Sequence, residues 1–172
     1  MNYANIKYID IANGTGVRTS LFVSGCTHHC KGCFNEIAWD FNYGEKYDQS
    51  VEDKIIESLK PDYIRGLSLL GGEPFEIPNQ GELIKLTTRV REELPSKDIW
   101  CYSGYTIEEM LHGKLSKHES TMKLLKNIDV LVDGEFVEEL KNLMLVFRGS
   151  SNQRIILVKP TLEKNEIVLW GE

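Results

Sequence analysis

Short apolar runs alternate with amphipathic helical patterns along most of the chain. Four runs predict strands, each followed by Ser, Gly or Asp: Thr19–Val23, Gly66–Leu70, Asp98–Tyr102 and Asp129–Val132. The stretches between them repeat apolar residues at helical spacing: Val51, Ile55, Ile56 and Leu59; Leu83, Leu86, Val90 and Leu94; Ile107, Met110 and Leu111; Met122, Leu125 and Ile128. Strands that alternate with helices predict parallel strands joined by crossover helices, and therefore an α/β fold.

Local signals mark the ends of three of these helices. Ser50 with Asp53, and Thr106 with Glu109, have the spacing of a capping box at a helix start. Pro95 follows the second helical pattern and predicts its end.

The length of the chain limits the architecture. A closed eight-fold β/α barrel typically needs about 250 residues, whereas this chain has 172. We therefore predict an open, partial (β/α) barrel in which residues 1–172 form one domain. The tail segments Gln153–Pro160 and Glu166–Trp170 are expected to be extended.

Composition and charge exclude several classes of protein. With 41% hydrophobic and 27% charged residues, the chain resembles a soluble globular protein. It has no apolar run of the roughly 18 residues that suggest a membrane span, and its start does not resemble a secretory signal. The net charge of −6 does not suggest nucleic-acid binding. We expect a cytoplasmic protein that binds neither membrane nor nucleic acid.

Three of the four cysteines, Cys26, Cys30 and Cys33, fall within eight residues and follow the first predicted strand. Clustered cysteines without an export signal indicate a metal site rather than a disulfide scaffold. A [4Fe–4S] cluster usually takes four cysteine ligands. Three would leave one iron open, as in metal sites where an exchangeable ligand binds.

A structural zinc site is the alternative, with Cys101, His28 or His29 as its fourth ligand. Both histidines lie between two expected ligands and are predicted to be loop surface. Cys101 lies in a strand pattern and is predicted to be a small buried apolar residue. The cysteines alone leave cluster and zinc open.

A second motif follows about forty residues later, where Gly71, Gly72, Glu73 and Pro74 end the second strand. Glycines let backbone approach a ligand closely, and Glu73 offers an acceptor for an ammonium group. Cys-x3-Cys-x2-Cys followed by an aromatic residue, then Gly-Gly-Glu-Pro after the next strand, resembles the radical S-adenosylmethionine (SAM) superfamily.

Within that superfamily the chain resembles the activating enzymes of anaerobic ribonucleoside-triphosphate reductase. The segments that carry this resemblance are 10–18, 21–25, 97–105, 130–134 and 148–153. Members often have Gly-Pro-Gly where this chain has Gly14-Thr15-Gly16, and Trp-Thr-Gly-Tyr where it has Tyr102-Ser-Gly-Tyr105. The tail beyond Gln153 resembles nothing recognisable.

The resemblance implies two cofactors and a set of binding residues. Cys26, Cys30 and Cys33 would ligate a [4Fe–4S] cluster. The expected contacts to SAM are Gly32, Cys33, Phe34, Gly72 and Glu73, with Phe34 at the adenine edge and Glu73 at the ammonium group. Phe34 could equally pack in the core.

The resemblance also implies a reaction and its partners. Reductive cleavage of SAM would yield a 5′-deoxyadenosyl radical, which abstracts hydrogen from a glycine of the reductase large subunit. An electron donor such as flavodoxin or ferredoxin would supply the electron. Alternatives are an activase of another glycyl-radical enzyme, a small radical SAM synthase, or a zinc-stabilised binding module without catalysis. Roles for Ser103, Asp133, Arg148 and Asn152 stay open.

Overall fold

The computed structural model describes residues 1–171, which form an α/β structure. Its strands are β1 (Asn2–Asp10), β2 (Val17–Val23), β3 (Glu45–Lys46), β4 (Ile64–Gly71), β5 (Asp98–Ser103), β6 (Val130–Asp133) and β7 (Arg154–Leu157). Its helices are α1 (Gln49–Leu59), α2 (Ile77–Glu93), α3 (Ile107–Leu111), α4 (Glu119–Lys126) and α5 (Val158–Lys164). Short 3₁₀ turns occur at Glu36–Trp39 and Glu138–Leu140.

One seven-stranded sheet organises the molecule, in the order β3-β1-β2-β4-β5-β6-β7. The four central strands β2, β4, β5 and β6 are parallel, and β1, β3 and β7 add to the edges antiparallel. These parallel strands are the four predicted from the sequence, so the α/β prediction is confirmed. The partial-barrel description stays a prediction. Parallel strands share one carboxyl edge, where Val23, Gly71, Ser103 and Asp133 lie.

The helices bury their apolar residues against one face of the sheet. The predicted faces of α1 and α2 are confirmed, because Ile55, Leu59, Leu83 and Leu86 are each fully buried in the main core. Leu124 and Leu125 of α4 join the same core. Within residues 1–171, no helix has the length and apolarity needed to cross a bilayer.

The opposite face of the sheet has its own smaller apolar cluster, formed by Trp100, Val130, Val132 and Ile155. Tyr102, Phe147, Leu157 and Trp170 pack against it. Loop and tail segments, rather than the sequence-predicted helices, therefore supply cover on this face.

Arg18 of β2 is fully buried, and its side chain contacts the next two strands of the sheet, β4 and β5. Its guanidinium lies 2.6 Å from Asp98 Oδ1 and donates to Ser68 Oγ at 2.7 Å and to the Leu67 carbonyl at 2.9 Å. Burial lowers the pKa of Arg18, and Asp98 opposes that change. The pair ties β2, β4 and β5 together at their amino ends.

Asp10 at the end of β1 is also buried. It accepts hydrogen bonds from Ser20 Oγ at 2.6 Å, Asn13 Nδ2 at 2.7 Å and the Ala12 amide at 2.9 Å. Burial acts to raise the pKa of Asp10, but these bonds outweigh it and lower that pKa. They fix the turn that leads from β1 into β2.

Several local predictions are wrong or incomplete. The N-cap of α1 is Asp48, which accepts from the Val51 amide, rather than Ser50. The capping box of Thr106 and Glu109 is confirmed. Residues 158–160 belong to α5 and are not extended, although Arg154–Leu157 is a strand. The sequence patterns also missed β1, which carries register shifts between Tyr3 and Asn5 and between Lys7 and Asp10.

Candidate functional site

The first part of the site is the junction between the cysteine loop and the Gly-Gly-Glu turn. The Gly72 amide donates to the Val23 carbonyl at 2.7 Å, and the Glu73 amide donates to the Gly25 carbonyl at 2.8 Å. The Gly25 amide in turn donates to the Ala38 carbonyl at 2.7 Å. The turn after β4 and the loop after β2 are therefore held together by backbone bonds.

Gly72 is needed because backbone surrounds it closely. A Cβ at Gly72 would lie 2.5 Å from the Gly25 oxygen and 2.8 Å from the Ala38 oxygen. Both are far shorter than real Cβ contacts, and neither oxygen can move without breaking the junction. From the sequence we expected this glycine to let the backbone approach a ligand. In the structure it lets the protein's own cysteine loop pack closely against the turn.

Side chains complete the junction. Glu76 Oε1 accepts from the Thr27 amide at 2.8 Å and from Thr27 Oγ1 at 2.6 Å. Asn79 Nδ2 donates to the carbonyls of both Ser24 and Glu73 at 3.0 Å. Asn79 is buried at the start of α2, so that helix anchors both segments of the site.

A cavity of about 410 Å³ lies beside this junction. Its lining includes most of the site residues predicted from the sequence: Cys26, Cys30, Cys33, Phe34, Gly72 and Glu73. Gly32 does not line it; with φ at 77°, Gly32 instead packs against the side chain of Glu138. The volume is within the range of about 300–1,000 Å³ typical of small-molecule sites.

The three cysteine thiols face this one cavity from a single loop. Cys26 is buried, and Cys30 and Cys33 are partly exposed. Burial, with the charges of Glu73 and Glu76, raises the pKa of Cys26 to about 12. Burial also raises the pKa of Cys30. A thiolate in these surroundings needs a cationic partner, which a bound metal provides.

The donor set fits an iron–sulfur cluster. Three sulfur ligands on one loop suit the soft-ligand preference of such clusters. Across residues 1–171, no three His, Cys, Asp or Glu side chains are gathered tightly enough to hold a single metal ion. A cluster is larger than one ion and spreads its ligands over several iron atoms, so thiols that share a cavity are compatible with it.

Glu73 is almost completely buried, at 1% exposure, and its carboxylate is fully engaged. Oε1 accepts from the Gly104 amide at 2.6 Å, and Oε2 accepts from the Phe75 amide at 2.8 Å. Ser103 Oγ lies 3.0 Å and 2.9 Å from the two oxygens. Donors from the ends of β4 and β5 thus fix the carboxylate at the cavity wall.

His28 is the fourth partner of Glu73, and the sequence misplaced it. Its side chain is 5% exposed, so the prediction of loop surface is wrong. Nε2 lies 3.0 Å from Glu73 Oε1 and Nδ1 lies 2.8 Å from Glu135 Oε1. Burial acts to lower the pKa of His28, but the two carboxylates outweigh it and raise that pKa to about 9. A cationic imidazole therefore joins the cysteine loop to both acids.

The proposed fourth ligands of a zinc site are all committed elsewhere. Both ring nitrogens of His28 have carboxylate partners, and His29 stacks on Trp39 with ring centroids 4.3 Å apart. Cys101 is fully buried in the main core, as predicted for a strand residue. This arrangement disfavours the zinc alternative.

Phe34 is 93% exposed although it lines the cavity. Of the two alternatives for Phe34, packing in the core is therefore wrong. A lining residue this exposed lies at the cavity mouth, so the site opens to the surface beside the cysteine loop.

The residues without an assigned role fall into two groups. Asp133 accepts from the Ile107 amide at 2.8 Å, and Asn152 donates to the Glu135 carbonyl at 2.8 Å, so both stabilise loops. Ser103 supports Glu73, as described. Arg148 lines the cavity, as Ser103 does.

Comparison with known proteins identifies the family. The family described as "4Fe-4S single cluster domain" matches residues 12–156. The anaerobic ribonucleoside-triphosphate reductase-activating protein of Vibrio cholerae is 47% identical over 157 residues, covering 90% of this chain and 97% of that protein. The chain belongs to this family of activating proteins. The proteins of the same name from Escherichia coli K12 and Enterobacteria phage T4 are 43% and 36% identical, covering 89% and 90% of this chain and 96% and 93% of theirs.

Membership confirms the resemblance to the activating enzymes of anaerobic ribonucleoside-triphosphate reductase. It also supports an iron–sulfur cluster as the cofactor of this chain, since the matched family is named for one. The match spans the cysteine loop, the Gly-Gly-Glu turn and the segment through Arg148.

Proposed function

We propose that this protein activates an anaerobic ribonucleoside-triphosphate reductase by generating a glycyl radical on its large subunit. The observation that carries the proposal is a single cavity lined by three clustered thiols and by the buried carboxylate of a Gly-Gly-Glu turn. The relatives are named as activators of that reductase, which supplies the partner.

In this proposal Cys26, Cys30 and Cys33 hold a [4Fe–4S] cluster and leave one iron without a protein ligand. The junction described above keeps the loop against the turn after β4. His28 adds a positive charge to the loop close to the thiols, which opposes the charges of Glu73 and Glu135.

The remaining residues bind SAM beside the open iron. Glu73 would accept from its ammonium group, in the place that His28 Nε2 occupies in this structure. Cys33 and Gly72 would offer backbone contacts, and the exposed ring of Phe34 would meet the adenine at the mouth. Gly32, the remaining expected contact, lies outside the cavity lining and is not part of this proposal.

A reduced cluster bound beside SAM would donate one electron to the sulfonium, so that its S–C5′ bond breaks to give methionine and a 5′-deoxyadenosyl radical. That radical would take hydrogen from a glycine Cα and leave 5′-deoxyadenosine. The protein orients these groups and limits side reactions. A primary carbon radical must be kept from water and other quenchers. We expect the single domain to form an open (β/α) barrel. A loop of the partner that enters at the mouth beside Phe34 would close its cavity.

The electron donor, the cellular compartment and the class of substrate follow from the same proposal. Flavodoxin or ferredoxin would deliver the electron, and the reaction would take place in the cytoplasm. As a radical SAM oxidoreductase the protein would act on a protein glycine rather than on a free metabolite.

The decisive experiment mixes the reduced, cluster-loaded protein, SAM and the reductase from the same organism, and records the electron paramagnetic resonance spectrum. We expect a doublet from one α-hydrogen. The matched control is a reductase in which the radical-bearing glycine is replaced by alanine, which should give no doublet.

Two other results would contradict the proposal. A doublet with pyruvate formate-lyase but never with the reductase would make this protein an activase of another glycyl-radical enzyme. Protein purified without oxygen that is colourless, and that contains zinc instead of iron, would favour a non-catalytic module.

A further inference from the structure

Within residues 1–171, four donors occupy the carboxylate of Glu73, which offers about four acceptor positions. The Gly104 and Phe75 amides donate at 2.6 Å and 2.8 Å. Ser103 Oγ lies 2.9 Å and 3.0 Å from the two oxygens, and His28 Nε2 completes the set at 3.0 Å. An ammonium group can therefore bind Glu73 only after one of these donors has left.

Three of the four donors are fixed by the fold. The Gly104 and Phe75 amides belong to the backbone and cannot turn away alone. Ser103 Oγ also accepts from the Tyr105 amide at 3.1 Å, which holds the hydroxyl at the end of β5. His28 is a side chain of the cysteine loop and lines the cavity itself. It is the donor that can leave without a change in the backbone.

Glu135 gives the displaced imidazole a second partner. Nδ1 of His28 lies 2.8 Å from Glu135 Oε1, and the side chain of Glu135 is 53% exposed, whereas that of Glu73 is 1% exposed. The Glu135 carbonyl is held by Asn152 Nδ2, so its backbone stays in place while its carboxylate follows the ring. The imidazole can thus turn away from Glu73 and stay paired with Glu135.

The exchange also preserves the charge balance of the buried acid. An ionised carboxylate only accepts, so a ring that faces Glu73 and Glu135 donates from both nitrogens and is positively charged. A buried carboxylate that loses its cationic partner is strongly unfavourable. Replacement of the imidazole of His28 by an ammonium group leaves Glu73 paired before and after the exchange.

We propose that His28 is a positioning residue that competes with the ligand's ammonium group for Glu73. The inference rests on the proposed function, from which that ligand is SAM. His28 holds the carboxylate of Glu73 in the orientation that the ammonium group requires, and yields its place when the ammonium group arrives. A ligand without an ammonium group leaves the pair of His28 and Glu73 intact.

The test compares SAM with 5′-methylthioadenosine, which keeps the nucleoside and the sulfur but lacks the ammonium group. Affinities are measured by anaerobic calorimetry on cluster-loaded wild type, His28→Asn and His28→Gln. Asparagine is too short to reach Glu73, whereas glutamine can place an amide donor near the position of Nε2. His29→Asn is the matched control, because His29 lies between the same two cysteines but stacks on Trp39.

His28→Asn should bind SAM at least about fivefold more tightly than wild type, because the ammonium group no longer displaces a donor from Glu73. Its affinity for 5′-methylthioadenosine should equal that of wild type, and so should both affinities of His29→Asn. His28→Gln should bind SAM with an intermediate affinity. A merely structural role predicts the opposite sign, since a loosened loop weakens binding. Unchanged or weaker SAM binding by His28→Asn, with the iron content of wild type, overturns the inference.

A His28→Asn protein that fails to hold iron leaves the decision to wild type. Crystal structures of the cluster-loaded protein with and without SAM should both show Nδ1 of His28 bonded to Glu135. Nε2 should lie within hydrogen-bond distance of Glu73 only in the structure without SAM. If Nε2 stays on Glu73 beside bound SAM, the competition does not occur.

Failure of the proposed function gives a different result, in which wild type does not bind SAM. The competition is then decided by titrating the same proteins with methylammonium, which supplies the cation alone. Tighter binding by His28→Asn than by wild type supports competition at Glu73. Equal binding, or none by either protein, overturns it.

Discussion

Replacing Gly72 with alanine tests whether the cysteine loop and the Gly-Gly-Glu turn form one packed unit. The added Cβ would lie 2.5 Å from the Gly25 oxygen and 2.8 Å from the Ala38 oxygen. Both oxygens accept backbone hydrogen bonds, from the Glu73 and Gly25 amides respectively. The methyl group can be accommodated only if the loop after β2 moves away from the turn.

The size of the effect follows from these contacts. Overpacking a tight site typically costs about 1–3 kcal/mol. Weakening the two backbone hydrogen bonds adds about 1 kcal/mol each. We expect the free energy of unfolding to fall by about 3–5 kcal/mol, or roughly 6–20 °C in Tm for a chain of this length. Iron content should fall as well, because the displaced loop carries all three cysteine ligands.

Gly81 is the matched control. It lies within α2, and a Cβ there would meet nothing within 4 Å. Gly81→Ala should therefore stabilise the protein by about 1 kcal/mol, since alanine favours helix. Urea unfolding of the iron-free proteins measures both changes, and iron analysis after anaerobic reconstitution measures the second effect. Gly72→Ala with the urea midpoint and iron content of wild type would refute the packed junction.

Three shorter predictions concern the cluster and the buried acid. Replacing Cys26, Cys30 or Cys33 with alanine should each abolish iron binding, whereas Cys101→Ser should retain it; iron analysis distinguishes them, and loss in Cys101→Ser would contradict the three-ligand arrangement. The pKa of Asp10 is lowered from its ordinary value of 3.8, so its contribution to stability is present above that pH and lost as pH falls through the lower folded value. Urea unfolding of Asp10→Asn should show lower stability at pH 7 and a flatter pH dependence below about 4; a parallel dependence would rule this out. Aeration should remove iron and activity together, and full activity after prolonged aeration would argue against a cluster with an open iron.

The central strands could be predicted from the sequence because each is buried on both faces. Leu67 and Leu69 in β4, for example, are fully buried, and so is Ser68 between them. Such strands read as nearly continuous apolar runs. β1 gave no such signal, because Tyr8 and Ile9 are exposed and its register shifts interrupt any alternation.

The segment Gln153–Pro160 shows where the sequence pattern misleads. We expected it to be extended throughout, but Pro160 is the third residue of α5. Proline is tolerated in the first turn of a helix, where its missing amide is not needed. The sequence pattern alone does not show whether a proline lies in an extended segment or in the first turn of a helix.

The site was predictable only in its local parts. The spacing of the cysteines and the Gly-Gly-Glu turn are visible within short segments, and both line one cavity. The partners of His28 are not local, since Glu73 is 45 residues away and Glu135 is 107 away. No pattern around His28 reveals them, so its burial depends on the assembled fold.

The irregular register of β1 has a consequence for how copies of this protein behave at high concentration. On the outer side of this nine-residue strand, only Asn2 and Tyr3 pair with β3 within residues 1–171. A flat strand with that much open edge would be a template for intermolecular pairing and aggregation. Bulges bend and twist a strand, which makes its edge a poor match for a straight partner. The two register shifts of β1 therefore protect an edge that the sheet leaves largely uncovered.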